Sequence, residues 1–217
     1  MKFVLMLSLM ISNFAFAAEN TSTLKMEHST HIKPYIGLGA FNITGTSQDF
    51  SSRGGVAAGA VGQWSTSIPG LQIESGLEYI QAGAEREYIY VANGTTAIKE
   101  EYELHYIAIP IKGTYQIMPA NTENPVSYKV LGGVTVAQLL SAKGKTNLFG
   151  VKDEFSVTSE LNSTDVLASI GAGADYDVLG GKVNLEAEYV RGLMEVMKEG
   201  GGHNEGFILR AGYSMPL

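Results

Sequence analysis

The sequence predicts an all-β fold, an eight-stranded antiparallel up-and-down transmembrane β-barrel. Three observations lead to this prediction. Apolar and polar residues alternate strictly over Thr164–Tyr189, connections between eight such segments are alternately short and long, and aromatic residues collect at the ends of the segments.

The stretch from Thr164 to Tyr189 has the pattern of a β-hairpin. Even positions from Val166 to Val178 are mainly apolar, and after Gly180 and Gly181 the odd positions are apolar. A period of two residues predicts strands, and the glycine pair predicts a tight turn between them. The hairpin therefore has one apolar face and one polar to charged face. A soluble barrel would turn the apolar face inward, whereas a membrane barrel turns it toward lipid.

Alternating segments along the chain bring the number of predicted strands to eight. They lie at 33–44, about 56–64, 71–79, 102–115, about 128–136, 164–178, 181–189 and 207–217. The first has apolar residues on both faces, so its register stays open. The loops at 45–54, 87–100, 142–163 and 194–206 are longer than the links between them. Short periplasmic turns and long outer loops are typical of bacterial outer-membrane barrels.

Aromatic residues are sorted by strand end in this arrangement, as expected for the two lipid–water interfaces. Five are predicted at the periplasmic ends, namely Trp64, Tyr115, Tyr128, Tyr176 and Tyr213. Three are predicted near the outer ends, namely Tyr79, Tyr189 and Phe207.

The first residues have the features of a secretory signal peptide. Lys2 precedes an apolar run to Ile11, and Ala15-Phe16-Ala17 forms a small-x-small cleavage signal. The predicted organisation is a signal peptide at 1–17, cleaved after Ala17, a flexible periplasmic segment at 18–31 and the barrel at 32–217. The alternative, an uncleaved anchor, is disfavoured because the apolar run is too short to span a bilayer.

Composition excludes several classes of function. The chain has no cysteine, which excludes disulfides, thiol chemistry and a lipoprotein anchor. Without Lys2 it keeps 14 basic and 22 acidic residues, a formal charge of −8 that argues against nucleic acid as a partner. Nothing in the sequence predicts a cofactor.

If the apolar rows face lipid, the opposite rows place charged side chains in the lumen. These are Glu74, Glu78, Lys112, Lys129, Asp175, Glu186, Glu188 and Arg210. An eight-stranded barrel is just wide enough for side chains to fill it. We therefore expect the charges to pair across the interior and plug the barrel, because unpaired buried ions are costly. The alternatives are a narrow small-solute pore and a soluble periplasmic barrel of lipocalin type.

Histidines are the candidates for metal binding and catalysis. His28 and His31 are three residues apart but lack a third ligand nearby, so no metal site is predicted. His105 lies near the outer end of the fourth strand with no serine beside it in sequence, and His203 lies in a glycine-rich loop. The sequence therefore predicts no catalytic residues and a protein that is not an enzyme.

The loop at 142–163 is a candidate for surface interaction. Residues 151–161 alternate roughly in polarity, which suggests that the loop extends its strands above the membrane. Such an extension can present an edge to a surface partner. The expected function is a structural or surface-interaction role for a monomer surrounded by outer-membrane lipid and lipopolysaccharide.

Four short motifs resemble the PorT-like outer-membrane β-barrel domain family, which is similar in architecture to small OmpA and OmpX barrels. They are GLEYIQ at 76–81, HYIAIPI at 105–111, GAGADY at 171–176 and EYVRGL at 188–193. The resemblance implies a fold and a location, with no catalytic residues to transfer. The apolar row from Phe207 to Leu217 resembles the C-terminal signal that barrel assembly machinery recognises, although it ends in leucine rather than an aromatic residue.

Overall fold

The computed structural model describes residues 30–46, 49–91, 95–120, 125–148, 151–178 and 180–217. This part of the chain forms nine strands and one 3-10 turn at Thr158–Glu160. The strands are β1 Thr30–Thr44, β2 Ser51–Ser65, β3 Leu71–Val91, β4 Thr95–Met118, β5 Val126–Leu148, β6 Val151–Ser156, β7 Thr164–Val178, β8 Gly181–Gly192 and β9 His203–Pro216. Among these described residues, no helix is long and apolar enough to cross a membrane.

Eight of the strands close into an antiparallel barrel. Each wall strand pairs with the next wall strand along the chain, and β1 closes the ring by pairing with β9. The pairing of β5 with β7 passes over β6, which pairs with β5 alone in the described part of the chain. The predicted eight-stranded up-and-down barrel is therefore confirmed, with β6 as an addition outside the wall.

The short turns lie at one end of the barrel, and two of them depend on glycine. Gly70 ends the β2–β3 turn at φ +80°, where the Thr66 amide donates to the Leu71 carbonyl at 3.0 Å. In the β7–β8 hairpin Gly180 has φ +84°, and Gly181 already pairs with Val178. Positive φ is costly for other residues. The reversal therefore centres on Gly180 and not on the pair Gly180-Gly181.

Several strands are longer than predicted at the opposite end. β3 reaches Val91 and β4 begins at Thr95, so most of the predicted loop at 87–100 is a paired hairpin. β9 begins at His203 and β1 at Thr30, each inside a segment predicted to be irregular. These extensions carry polar residues on both faces. Backbone hydrogen bonding continues there without an apolar row to mark it, which is why the pattern missed them.

The predicted extension of the loop at 142–163 is present in the structure. β5 continues to Leu148, and β6 returns beside it with Lys143 opposite Ser156 and Leu148 opposite Val151. Upper β4 pairs with upper β5 as far as Lys99 opposite Asn147. The upper parts of β3, β4 and β5 therefore form, with β6, a four-stranded sheet beyond the barrel. It lies at the end of the long connections, which the sequence predicts to be outside the cell, and is called the extracellular sheet below.

Candidate functional site: a closed lumen and an extracellular sheet

The apolar face of the wall points outward. Six large apolar side chains on the outward rows are 59–70% exposed, namely Ile36, Leu38, Ile170, Leu185, Phe207 and Leu209. Water-exposed apolar surface of this extent is unfavourable, whereas the same surface is stable against acyl chains. This orientation contradicts the soluble lipocalin-type alternative, which needs the reverse arrangement.

All eight charged residues predicted for the lumen lie on the inward face. Seven are buried, and Asp175 is half-buried toward the end with the short turns. With Lys33, they form two clusters of ion pairs at different levels along the barrel axis.

The first cluster lies nearer the short turns and is built on two lysines. Lys33 Nζ lies 2.8 Å from Glu74 Oε2 and 2.6 Å from Glu186 Oε1. Lys129 Nζ lies 2.7 Å from the same Glu186 oxygen and 2.8 Å from Asp175 Oδ1. Two cations therefore face three carboxylates, and the loss of either lysine would leave a single cation for all three.

The second cluster joins the opposite strands of the barrel. Lys112 Nζ lies 2.6 Å from Glu188 Oε1, and Arg210 Nη2 lies 2.7 Å from Glu78 Oε1. Arg210 also donates to Glu188, and its guanidinium lies 5.6 Å from the centre of the Tyr35 ring. Two cations face two carboxylates, so this cluster is neutral.

Lys33 was missed by the sequence reasoning. It shares the inward row of β1 with Tyr35, Phe41 and Ile43, but apolar residues on both faces left the register of β1 open. The predicted lumen contained more carboxylates than cations. This imbalance could have indicated Lys33, because buried carboxylates need cations close to them.

Two glycines on β7 provide space for the ionic side chains. A Cβ atom on Gly171 would lie 2.9 Å from Glu188 Cγ, and one on Gly173 would lie 3.0 Å from Glu186 Cγ and 2.7 Å from the Leu185 carbonyl oxygen. The small inward row of β7 therefore lets the glutamates of β8 reach across the lumen.

The outer half of the lumen is mainly apolar, a feature that the predicted plug of paired charges did not include. Phe41, Ile80, Leu104 and Ile208 are almost fully buried there and pack with smaller residues of every side of the barrel. The cavity beside Phe41 and Ile80 has a volume of only about 10 Å³ and is also lined by Asp165 and Asn204. The inward rows of the outer strand halves therefore form a mainly apolar core above the ion pairs, with one buried hydrogen bond of 2.8 Å from Asn204 Nδ2 to Asp165 Oδ2.

Residues of the long connections cover the outer mouth. Val157, Leu161 and Val196 are buried against the apolar core. The Asn162 amide donates to the Val196 carbonyl at 2.8 Å, and Leu161 forms an isolated bridge with Met197. The mouth is thus closed by backbone pairing between the segment before β7 and the segment before β9.

A polar vestibule remains at the end with the short turns. It has a volume of about 310 Å³ and is lined by carboxamide, hydroxyl and charged groups, including Gln63, Gln72, Gln116 and Asn184. Lys129 and Asp175 form part of its wall. The vestibule ends at the first ion-pair cluster and does not cross the barrel.

The predicted interface aromatics lie on the outward rows. Trp64, Tyr115, Tyr128 and Tyr176 are exposed at the ends of strands near the short turns, and Tyr213 is half-buried at the same end. At the opposite end the Tyr189 and Phe207 rings lie 5.1 Å apart. The eighth, Tyr79, has a polar partner in His105, with 2.6 Å between Tyr79 Oη and His105 Nδ1.

The two candidate histidines occupy different surroundings. His105 points outward, with Tyr79 at Nδ1 and Glu103 Oε1 3.4 Å from Nε2. His203 Nδ1 lies 3.0 Å from the Met194 carbonyl oxygen. His28 lies outside the described residues. In the part of the chain that the structure describes, no three potential ligands of the His, Asp or Glu type are close enough to hold a metal ion.

The extracellular sheet carries paired charges on its outward face. Lys143 Nζ lies 2.6 Å from Glu154 Oε1 across β5 and β6, and this hydrogen bond lowers the pKa of the Glu154 carboxyl. On β3 and β4, hydrogen bonds to Glu85 and Glu101 raise the pKa of Lys99. The sheet is therefore a solvated, charged structure.

A closed antiparallel barrel with an apolar exterior, ion pairs inside and long strands at one end defines an integral outer-membrane barrel protein. The chain belongs to the outer membrane protein beta-barrel domain family, whose model matches residues 7–198. The protein is therefore an outer-membrane protein, and a structural or surface role fits this family. The matching model is that of the broad family and not of the PorT-like group.

Solved structures of small outer-membrane barrels are similar to this chain at low identity. Neisserial surface protein A is 14% identical, with 87% of this chain and 97% of that one covered and a TM-score of 0.48. The attachment invasion locus protein Ail of Yersinia pestis is 15% identical, with coverage of 88% and 100% and a TM-score of 0.43. The outer membrane enzyme PagL is 11% identical, with coverage of 85% and 99% and a TM-score of 0.47. A comparison with curated protein sequences finds no match.

Proposed function

We propose that this protein is a non-conducting, non-catalytic outer-membrane barrel that presents its extracellular sheet for surface interaction. The observation that carries the proposal is the closure of the lumen by ion pairs, by an apolar core and by a covered mouth. A barrel closed at these levels leaves no continuous path for a solute between the vestibule and the outer mouth in the described part of the chain. The extracellular sheet of β3, β4, β5 and β6 extends beyond the apolar band and is therefore the part of the protein available to a surface partner.

The proposed contact region is 142–163, which contains the end of β5 and the whole of β6. One edge of β6 pairs with β5, and no described strand pairs with its other edge. Free strand edges bind extended peptides by backbone hydrogen bonds. Charged residues on such an edge, here Asp153 and Glu154, discourage indiscriminate pairing and favour a partner with matching charge.

Shortening the hairpin tests this role. Residues 145–154 are replaced by Asn-Gly, which leaves the wall strands intact because the last β5 pairing with β7 is at Gln138. Cells carrying this variant are expected to lose attachment to immobilised proteins and polysaccharides that bind cells with the natural chain. A matched control shortens the β3–β4 hairpin at 88–98. Attachment that survives the first change, or disappears equally with the second, contradicts the proposed role of 142–163.

The narrow pore is the competing function, and planar bilayers separate the two. The closed lumen supports the expectation that the refolded protein gives no steady conductance steps. Steps that persist at moderate voltage would refute the non-conducting proposal. Replacing Phe41 and Leu104 with serine would hydrate the apolar core, so this double variant is the comparison in which weak conductance is expected.

The surroundings of His105 support a protein that is not an enzyme. Ser141 lies opposite His105 in the β4–β5 register, which is the placement of a potential nucleophile. However, Tyr79 lies against Nδ1 of His105 and Glu103 lies against Nε2. Neither ring nitrogen is therefore left to activate the hydroxyl of Ser141. Outer-membrane lipids incubated with the protein should give the same mass spectrum as lipids incubated with the His105→Ala variant. A product that depends on His105 would show an enzymatic role instead.

Three narrower points belong to the same proposal. We propose a mature chain that starts at Ala18, on the small-x-small pattern before it, and the mass of the exported protein tests this. Membership of the PorT-like group is proposed on the motifs at 76–81, 105–111, 171–176 and 188–193. Monomeric insertion into lipid and lipopolysaccharide by the barrel assembly machinery is proposed on the closed wall and the C-terminal apolar row.

A further inference from the structure

A group of polar side chains lies on the outward face, at the level where the apolar band ends. It consists of Arg53, Gln81, Glu103, His105 and Lys145, and is called the rim cluster. In the β3–β4 register, Tyr79 lies opposite Ile107, and the next pair on the same face is Gln81 opposite His105. The outward face therefore changes from apolar to polar within one residue pair. We expect the rim cluster at the level of the lipid headgroups, because the outward apolar band of a membrane barrel ends there.

The rim cluster is organised around one carboxylate that two cations share. Glu103 Oε2 lies 2.6 Å from Lys145 Nζ and 3.2 Å from Arg53 Nη2. Gln81 donates to the other oxygen, Oε1. The Glu103 side chain is only 11% exposed, whereas that of Lys145 is 40% exposed. Two cations around one carboxylate leave an excess of one positive charge, and Lys145 presents part of it to the surroundings.

The excess of positive charge is confined to this level of the sheet. Lys143 lies opposite Glu103 in the β4–β5 register and is paired with Glu154, so it adds no net charge at this level. Farther from the apolar band, Lys99 lies between Glu85 and Glu101, which gives that level an excess of negative charge. Along the outward face, positive charge therefore lies directly above the apolar band and negative charge lies farther out.

We propose that the rim cluster binds the phosphate of an anionic lipid of the outer leaflet. Arginine and lysine are the side chains that donate to phosphate oxygens, and here a buried carboxylate holds them in place. Below them Leu77 and Leu140 are each more than half exposed on the outward face and offer a surface for the acyl chains. The site favours a lipid over a free phosphate ion, because its cations and its apolar surface are adjacent. This inference rests on the lipid partner proposed above and assigns it a position.

Native mass spectrometry of the detergent-folded full chain tests this inference. The probes are phosphatidylglycerol, zwitterionic phosphatidylcholine and soluble glycerol phosphate. The natural chain should bind phosphatidylglycerol in preference to phosphatidylcholine, and the variant Arg53→Gln/Lys145→Gln should reduce that preference by about fivefold. The matched control Lys182→Gln/Lys198→Gln removes the same charge from two exposed lysines elsewhere and should keep the preference. If the double variant does not fold, Lys145→Gln alone replaces it, because Arg53 still pairs Glu103.

Failure of the lipid site and failure of the outer-membrane barrel give different results. The lipid site would be overturned if Arg53→Gln/Lys145→Gln kept the preference for phosphatidylglycerol. It would also be overturned if Lys182→Gln/Lys198→Gln lost that preference to the same extent. Full competition by glycerol phosphate would also overturn it, because the site would then bind free phosphate rather than lipid. A natural chain that gives no heat-modifiable folded form in any lipid would instead contradict the outer-membrane barrel itself.

Discussion

Replacing Lys33 with methionine is expected to lower the free energy of unfolding by about 3–5 kcal/mol, the usual cost of removing one partner of a buried ion pair. Methionine keeps most of the length and volume of the side chain, so the change removes charge with little change in packing. Lys33 is 2% exposed and lies within 3 Å of carboxylate oxygens on both Glu74 and Glu186. The magnitude follows from this burial, because the change leaves buried carboxylates without one of their cations.

After the change, Lys129 is the remaining cation for three carboxylates. Glu74 keeps the hydrogen bond from Gln63 Nε2 at 2.7 Å but loses its ion pair. A cost of 3–5 kcal/mol corresponds to roughly two to four powers of ten in the folding equilibrium. The double variant Lys33→Met/Glu74→Gln should be more stable than the single variant, because it no longer buries that carboxylate alone.

Urea unfolding in lipid vesicles measures this cost. The fluorescence of Trp64, the one tryptophan of the chain, reports its transfer from the lipid interface to water. The control is Lys182→Met, because Lys182 and Asp177 lie 3.4 Å apart with side chains 39% and 49% exposed. Such a surface pair contributes about 0–1 kcal/mol. If Lys33→Met costs no more than this control, the reasoning about the ionic lumen is wrong.

Three further predictions concern the exterior, the glycine row and the extracellular sheet. Leu209→Arg should cost about 2–4 kcal/mol in the same vesicle assay if this side chain faces lipid, and close to nothing if it faces water. Gly173→Ala should destabilise the barrel by about 1–3 kcal/mol through overpacking, whereas Gly54→Ala should be tolerated because its Cβ would meet no atom within 4 Å. The Lys143 hydrogen bond lowers the pKa of Glu154, so its stabilisation of the β5–β6 hairpin is present above the ordinary glutamate pKa and is lost as the pH falls through the lowered value. Hydrogen exchange of the β6 amides should therefore accelerate in acid, and an unchanged rate would count against the pair.

The sequence by itself determined the architecture and the direction of its faces. Alternation between Thr164 and Tyr189 sets which side chains share a face, since successive strand residues point to opposite sides. The sorting of long and short connections then favours a membrane barrel over a soluble one. The same alternation predicted the eight lumen charges, because odd and even positions of a strand point to opposite faces whatever the strand packs against.

Tertiary structure alone decided what meets across the lumen and where the wall ends. The role of Lys33 depends on the register between β1 and its neighbours, and β1 has no single apolar face to define that register. The apolar core around Phe41 and Leu104 forms because inward residues of distant strands converge, which no local pattern records. Backbone pairing carries β3, β4 and β5 beyond the apolar band, where no apolar row marks the strands in the sequence. The rim cluster likewise exists only because the pairing of β2, β3, β4 and β5 brings Arg53 and Lys145 to the same carboxylate.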